Sequence, residues 1–322
     1  MTVEESIQLL GDSEAASEDD IESCRAWNER EIVAKFDRLV DAGVINYDYA
    51  YATENRNIGG LDFEFRISNA LKSKPNNPTS PSGTRNGTVA LRQRRPGSDI
   101  STHGSEIGRL AESHVLAFNG YSCYRPHFLL VTLDGHRRQW EPLCIDDFRA
   151  VDAFLEAYGK ENLLFFNGGV EAGCSRLHKH LQAIPKRSFD GNPWRNVDEN
   201  SDAIPFAYFE QKLRTKSSSE ATPEATPEAT LEVYKAGLDF VERTLGYKTM
   251  EENKNRAPPH NVIMDGDRMV VIPRRATGNG LVGANAAGML GMVWTQSKET
   301  MQLWLDAGPR NVLEQGGSPR LI

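Results

Sequence analysis

Apolar residues along the chain recur in short runs whose spacing switches between helical and extended periods. Ile21, Cys24, Trp27, Ile32, Phe36, Leu39 and Val40 repeat at helical spacing up to Gly43, a good stop, and predict a helix over 21–42. Leu61, Phe63, Phe65 and Ile67 alternate with polar residues, which predicts a strand with those four inward. The run 115–132 predicts two strands about Asn119-Gly120, the second a β-favouring stretch from Phe128. Asp146 reads as the cap of a helix with Phe148, Val151, Leu155 and Tyr158 on one face and Gly159 at its end. Further on, 204–209 is a short apolar strand candidate, and Tyr234, Leu238, Val241 and Leu245 mark a helix stopped by Gly246. Segments 261–264 and 269–272 flank Asp265-Gly266, a turn pair suited to positive φ, and so predict a hairpin. Strands and helices mixed in this order describe an α+β chain.

Between these elements lie segments without a core pattern. Residues 1–20 are acidic and read as a loose tail. Residues 75–110, rich in Pro, Asn, Ser, Gly and Arg, form a long irregular segment that closes over a site or stays disordered. Residues 214–232 contain Glu-Ala-Thr-Pro twice and then Glu-Ala-Thr-Leu; such repeats bury too little surface to offset their ordering entropy, which predicts a flexible loop. Two patterned blocks remain, 21–213 and 233–322.

The candidate chemistry sits in 165–182. Here the apolar Phe165-Phe166 enters Asn167-Gly168-Gly169, passes Ala172-Gly173-Cys174-Ser175 and leaves as His178-Lys179-His180-Leu181-Gln182. In a strand, residues two apart share a face at about 6.6 Å, so His178, His180 and Gln182 line one side and Leu177, Lys179 and Leu181 the other. Glycines let the preceding backbone approach a ligand, and the N–H groups of 173–175 would form a cradle for negative oxygens. The two imidazoles could be metal ligands, satisfied buried polar groups, or a covalent catalyst, since a neutral imidazole whose other nitrogen is held attacks a phosphoanhydride near neutral pH. Asp265 and Asp267 are explained by the turn rather than by a metal, and Arg274 and Arg275 either meet phosphate or face solvent.

Charge and cysteines narrow the class. A net charge of −8 argues against nucleic acid as a partner. The cysteines at 24, 123, 144 and 174 form no Cys-x-x-Cys pair and suggest free thiols in a reducing compartment. With no secretory signal and no long apolar span, the expectation is a soluble cytoplasmic protein that binds no membrane.

The blocks Asn167-Gly168-Gly169, 172–175 and His178-Lys179-His180-Leu181-Gln182, with 125–132 upstream and 261–264 and 270–274 downstream, resemble the diadenosine tetraphosphate (Ap4A) phosphorylases, or ATP adenylyltransferases. These are the His-x-His-x-Gln branch of the histidine-triad superfamily, and the resemblance runs from about Phe63 to Met292. It implies a histidine-triad-like antiparallel sheet with flanking helices, with 21–213 as catalytic domain and 233–322 completing the nucleotide site. The implied reaction is phosphorolysis of Ap4A to ATP and ADP. His180 would attack the α-phosphorus, His178 would hold His180 or bond a phosphate oxygen, and Gln182 would bind the non-bridging oxygens and favour phosphate over water as acceptor.

His127 would stand behind the pair. Nucleotide contacts would come from Lys74 (or its neighbour Lys72), Asn119, Gly120, Asn167, Ala172, Gly173, Cys174, Ser175, Asn285, Met292 and Gln296. The partners would be a dinucleoside polyphosphate and phosphate, with no metal held by the protein and any Mg²⁺ arriving on the substrate's phosphates. Gly120 and Gln296 stand where the family carries lysines, and Ala286 and Ala287 where it carries hydroxyls. A thinner polyphosphate grip is therefore expected, with slow phosphorolysis and a preference for shorter or less charged nucleotides. A uridylyltransferase of the sugar-1-phosphate kind would instead show Pro between the histidines, where Lys179 stands. A nucleotide-binding regulatory protein without turnover is the remaining alternative.

Overall fold

The computed structural model describes residues 28–73, 94–186, 192–213, 226–247 and 255–320. The tail 1–20, the start of the first expected helix at 21–27, Lys74, most of the segment 75–110 and the repeats up to 225 lie outside them.

The first helix among the described residues, α1 (Glu29–Asp41), opens at Asn28, which caps it. The Glu31 N–H donates to Asn28 Oδ1 (3.0 Å) while the Glu31 carboxylate accepts from the Asn28 N–H (3.1 Å), a reciprocal capping box. Strands β1 (Ala52–Ile58) and β2 (Leu61–Ile67) pair antiparallel, with Leu61, Phe63 and Phe65 buried as the alternation predicts. Next come β3 (Glu106–Leu110), β4 (His114–Phe118) and β5 (Phe128–Thr132), the last two being the strands expected about Asn119-Gly120. Helix α2 (Ile145–Tyr158) does end at Gly159, but its cap is Cys144 and not Asp146. The reason is Asp147, whose carboxylate accepts the Cys144 N–H at 2.7 Å, while Asp146 sits on the surface against Arg149.

Strands β6 (Asn162–Gly168) and β7 (His180–Pro185) flank the glycine-rich loop. After the short helix α3 (Arg195–Asp198) comes β8 (Phe209–Lys212). It replaces the strand expected at 204–209: Pro205 lacks an N–H to pair, and Ile204, Phe206 and Ala207 are buried outside any strand. Helix α4 (Pro227–Leu245) begins inside the segment expected to be a flexible loop. Thr226 caps it and Pro227 opens it, so the last repeat unit supplies a helix start followed by good helix formers. The hairpin β9 (His260–Met264) and β10 (Arg268–Pro273) turns at Asp265 as expected, though Gly266 takes no positive φ. What Gly266 provides is room, since a Cβ there would stand 2.6 Å from Lys160 Cδ. A single turn α5 (Ala286–Met289), strand β11 (Met292–Thr295), α6 (Lys298–Ala307) and α7 (Pro309–Gly316) complete the described chain.

Eight strands form one sheet in the order β3-β4-β5-β7-β6-β9-β10-β8, antiparallel throughout; β1, β2 and β11 form a second, in which β2 and β11 run parallel. The fold is α+β on an antiparallel sheet with flanking helices. The two blocks on either side of 214–232 share one sheet, β9 and β10 of the second lying between β6 and β8 of the first. Helices α1, α2 and α4 cover one face over Phe148, Phe154, Leu164, Phe166 and Leu181. The small sheet with α5, α6 and α7 covers part of the other, over Leu163, Phe165, Ile184 and Ile263. Because β6 is buried on both faces, its sequence is a continuous apolar run and not an alternating one. No helix among the described residues is long and apolar enough to cross a membrane.

Candidate active site

The alternation along β7 sorts the motif. His180 and Gln182 lie opposite Val131 and Leu129 of β5 on the face of Ile184, while Lys179, Leu181 and Ala183 point toward the helices. Lys179 is wholly buried there: its ammonium donates to Asp147 Oδ2 (2.6 Å) and to the carbonyl of Pro142 (2.8 Å). Asp147 also accepts from His114 Nε2 at 3.1 Å.

His180 is fixed from two directions. Its Nδ1–H donates to the carbonyl of His178 at 2.8 Å, which places the proton on Nδ1 and the lone pair on Nε2. Its backbone N–H and C=O are both bonded, at 2.9 Å each, by the carboxamide of Gln139. His178 corrects the expectation that its ring would stand beside His180. The regular strand begins only at His180, and the His178 ring turns into a pocket where Nε2 meets the Asp134 carbonyl (3.1 Å) and Thr132 Oγ1 (2.9 Å) and Nδ1 meets Ser98 Oγ (2.7 Å). Burial holds this imidazole below its ordinary pKa and so neutral. His178 therefore serves His180 through its carbonyl, not its ring.

Gln182 is oriented by His127. The Cys123 N–H donates to His127 Nδ1 (3.4 Å), leaving Nε2–H to donate to Gln182 Oε1 at 2.9 Å. The Gln182 amide NH₂ is then the end turned to a ligand. Asn119 Nδ2 lies 3.4 Å from the same His127 nitrogen, and the Trp294 ring packs edge-on to His127 with centroids 5.6 Å apart.

The glycine loop departs from the expected cradle. The N–H of Gly173 donates to Val170 O (2.9 Å) and that of Cys174 to Gly169 O (3.3 Å), so two of the three N–H groups at 173–175 are spent within the loop, and the third belongs to the exposed Ser175. The glycines serve packing. Gly173 has φ +86°, and a Cβ on it would stand 2.9 Å from Asn285 Cα. Asn167 and Ala172 are structural too: Asn167 Oδ1 accepts from Asn261 Nδ2 (3.0 Å) and the Ala286 N–H (2.8 Å), and the Ala172 carbonyl accepts from Asn261 Nδ2 (2.9 Å). Asn285 spends its side-chain oxygen capping α5. Arg274 meets neither phosphate nor solvent. It is buried against Asn261 and the carbonyls of Gly316, Ala276, Thr277 and Ala284, and burial lowers its pKa to about 9.

A cavity of about 300 Å³ lies against this loop, lined by Val170, Gly173, Cys174, Asn285, Met292, Trp294 and Trp304 among others. Four of the expected nucleotide positions thus share one cavity, and Trp294 joins its wall to the His127–Gln182 pair. Burial pushes the Cys174 thiol up to about 12, so it lines the cavity as a neutral group. Gly120 and Gln296 are not among its lining residues, Gln296 being exposed. No local sequence pattern marks Gln139, Ser98 or Trp294 as part of this site. Asp99 accepts the N–H groups of Leu177 (2.7 Å) and His178 (2.8 Å), so the segment beyond residue 94 does close over the histidine strand. Its only local signal is a short polar group within a Pro/Gly-rich stretch.

Behind the loop, His260 is fully buried between the Pro258 carbonyl (2.7 Å) and Tyr234 (3.1 Å), and burial pushes its pKa down to about 4. The unfolded chain therefore takes up a proton near pH 6.5 that the folded one refuses, and stability present above pH 6.5 is lost as pH falls toward 4. Urea unfolding at about pH 7.5 and about pH 5 should differ by about 2 kcal/mol from this group, at roughly 1.36 kcal/mol per unit. Equal stability at the two values would contradict it.

A family model for the Ap4A phosphorylase N-terminal domain matches residues 54–194, and one for the ATP adenylyltransferase C-terminal domain matches residues 202–319. Among curated proteins, Protein APA1 of Saccharomyces cerevisiae is 24% identical over 209 residues, a match covering 58% of this chain and 63% of that protein, under two thirds of its length. Among solved structures, the chain is similar to yeast Ap4A phosphorylase Apa2 with a TM-score of 0.68 at 18% identity, covering 94% of this chain and 100% of that one. The same yeast protein in complex with Ap4A gives a TM-score of 0.64 at 19% identity, covering 91% and 98%. At these identities the structural likeness is one of fold.

Proposed function

This chain belongs to the Ap4A phosphorylase family, and from that premise we propose that it cleaves diadenosine tetraphosphate with inorganic phosphate, releasing ATP and ADP. The observation that carries this reading is the tautomer of His180, with its Nδ1–H held by the His178 carbonyl and the lone pair therefore on Nε2, the nitrogen that would bond to phosphorus. His180 Nε2 bonds to the α-phosphorus as the bond from that phosphorus to the bridging oxygen breaks, and ATP leaves with the electron pair. No base is needed, because Nε2 carries no proton. The charge that develops on the ring is shared with the Nδ1–H and the carbonyl it meets.

A phosphate oxygen then attacks the adenylyl group, the N–P bond breaks, and ADP departs. Gln182, oriented by His127, offers its NH₂ to a non-bridging oxygen in both steps and stays neutral throughout. The adenosine would occupy the cavity beside Cys174, Met292 and Trp294. Gly120 and Gln296 bring no ammonium to the distal phosphates, which supports a weak hold on the tetraphosphate.

The test is to mix the protein with Ap4A labelled at the α-phosphate, without phosphate, and quench rapidly. Protein-bound AMP that survives base and falls off in acid is expected, as is its chase into ADP when phosphate is added. Absence of protein-bound label during turnover, or a chase into AMP alone, would overturn the proposal.

A further inference from the structure

Strand β6 pairs with β7 only as far as Phe165 opposite Gln182, although β6 itself runs on to Gly168 against β9. One pleat further along β7, at His180, no β6 residue is paired, yet the peptide groups of His180 are not left to solvent. Gln139 Oε1 accepts the His180 N–H and Gln139 Nε2–H donates to the His180 carbonyl, both at 2.9 Å, and the Gln139 side chain is wholly buried. The carboxamide thus does what a neighbouring strand does for a ladder. The backbone of the same segment bridges the histidine segment one step earlier, Arg138 standing opposite His178. Gln139 is anchored in turn, its N–H donating to Leu177 O at 2.8 Å, while the Lys179 N–H donates to Arg137 O at 3.1 Å.

We propose that Gln139 is a positioning residue for the nucleophile, its side chain standing in for the pairing that β6 does not make at His180 and fixing the backbone from which the imidazole projects. This rests on the reading of His180 as the attacking group. Its importance follows from the sensitivity of in-line attack to placement, since a misplacement of about 1 Å costs roughly 100-fold in rate. The internal bond from His180 Nδ1 to the His178 carbonyl spans the same two residues, so a slack backbone at 180 would loosen the tautomer as well as the aim.

The experiment compares wild type, Gln139→Leu, Gln139→Glu and His180→Ala in single-turnover adenylylation by Ap4A, with the Kd for Ap4A and the melting temperature measured on each. Gln139→Glu keeps the size and the acceptor for the His180 N–H but sets an oxygen against its carbonyl. The expected result is a loss of about 10- to 100-fold in adenylylation rate for both Gln139 variants, with Kd within about threefold of wild type. An unchanged rate in Gln139→Leu, or a rate loss matched by the loss in Kd, would overturn the positioning role. So would failure of both variants to fold, which would make Gln139 a structural staple. Turnover by His180→Ala would instead remove the reading beneath the proposal, whereas an inactive His180→Ala beside a fully active Gln139→Leu would remove the proposal alone.

Discussion

Replacing His180 with alanine is expected to lower Ap4A turnover by about four to six decades, roughly 5–8 kcal/mol of transition-state stabilisation, while Ap4A binding changes little. The size follows from what is removed. Without Nε2 there is no adenylyl intermediate, and phosphate would have to displace ATP directly with only Gln182 and the cavity to assist. The fold should survive, because Gln139 bonds the backbone of residue 180 and not its ring. Steady-state kinetics with the purified variant, beside a direct binding measurement, checks both halves. Residual turnover above about one per cent of wild type would mean that another group makes the bond.

Lys179→Met should do the opposite, leaving the chemistry and undermining the fold by about 3–5 kcal/mol. Lys179 and Asp147 are both buried, and deleting the ammonium strands a carboxylate in the interior with only His114 and the Cys144 N–H for company. Burial alone would raise the Asp147 pKa from 3.8, but the bond from His114 and the charge of Lys179 outweigh it and hold the group well below that value. Its stabilising contribution is therefore present above pH 3.8 and lost as pH falls through the lower folded value. Without Lys179 that folded value rises, so the variant should also unfold in milder acid. Chemical unfolding and acid titration of the two proteins measure this. A loss under about 1 kcal/mol, typical of surface pairs, would show that the pair is solvated.

How much of this was legible in the sequence depends on how far each partner lies along the chain. The period-two alternation from His180 to Gln182 placed both on one face, because strand geometry is local. It failed for His178, whose neighbours at 98, 132 and 134 come from other segments and draw its ring away. Lys179 read correctly as facing the other side, but its burial depends on Asp147, 32 residues earlier, in a helix whose cap was assigned to the adjacent Asp146. Glycines 168, 169 and 173 suggest ligand contacts in the sequence, but two of them are sites of close packing against His260 and Asn285. The sequence shows that a side chain is missing there, not what fills the space. The start of α4 was hidden in a repeat whose composition resembles a linker until Thr226 and Pro227 are read as cap and first turn.

The seam between β6 and β9 also sets a clock on synthesis. Its five register pairs run from Leu164 opposite Met264 to Gly168 opposite His260, so β6 is complete 92 residues (260 − 168) before the first residue of its partner is made. At about 5–20 residues per second that interval is roughly 5–20 s. From the completion of β7 until then, the nascent chain presents an apolar strand with one open edge, the kind of surface a chaperone must shield.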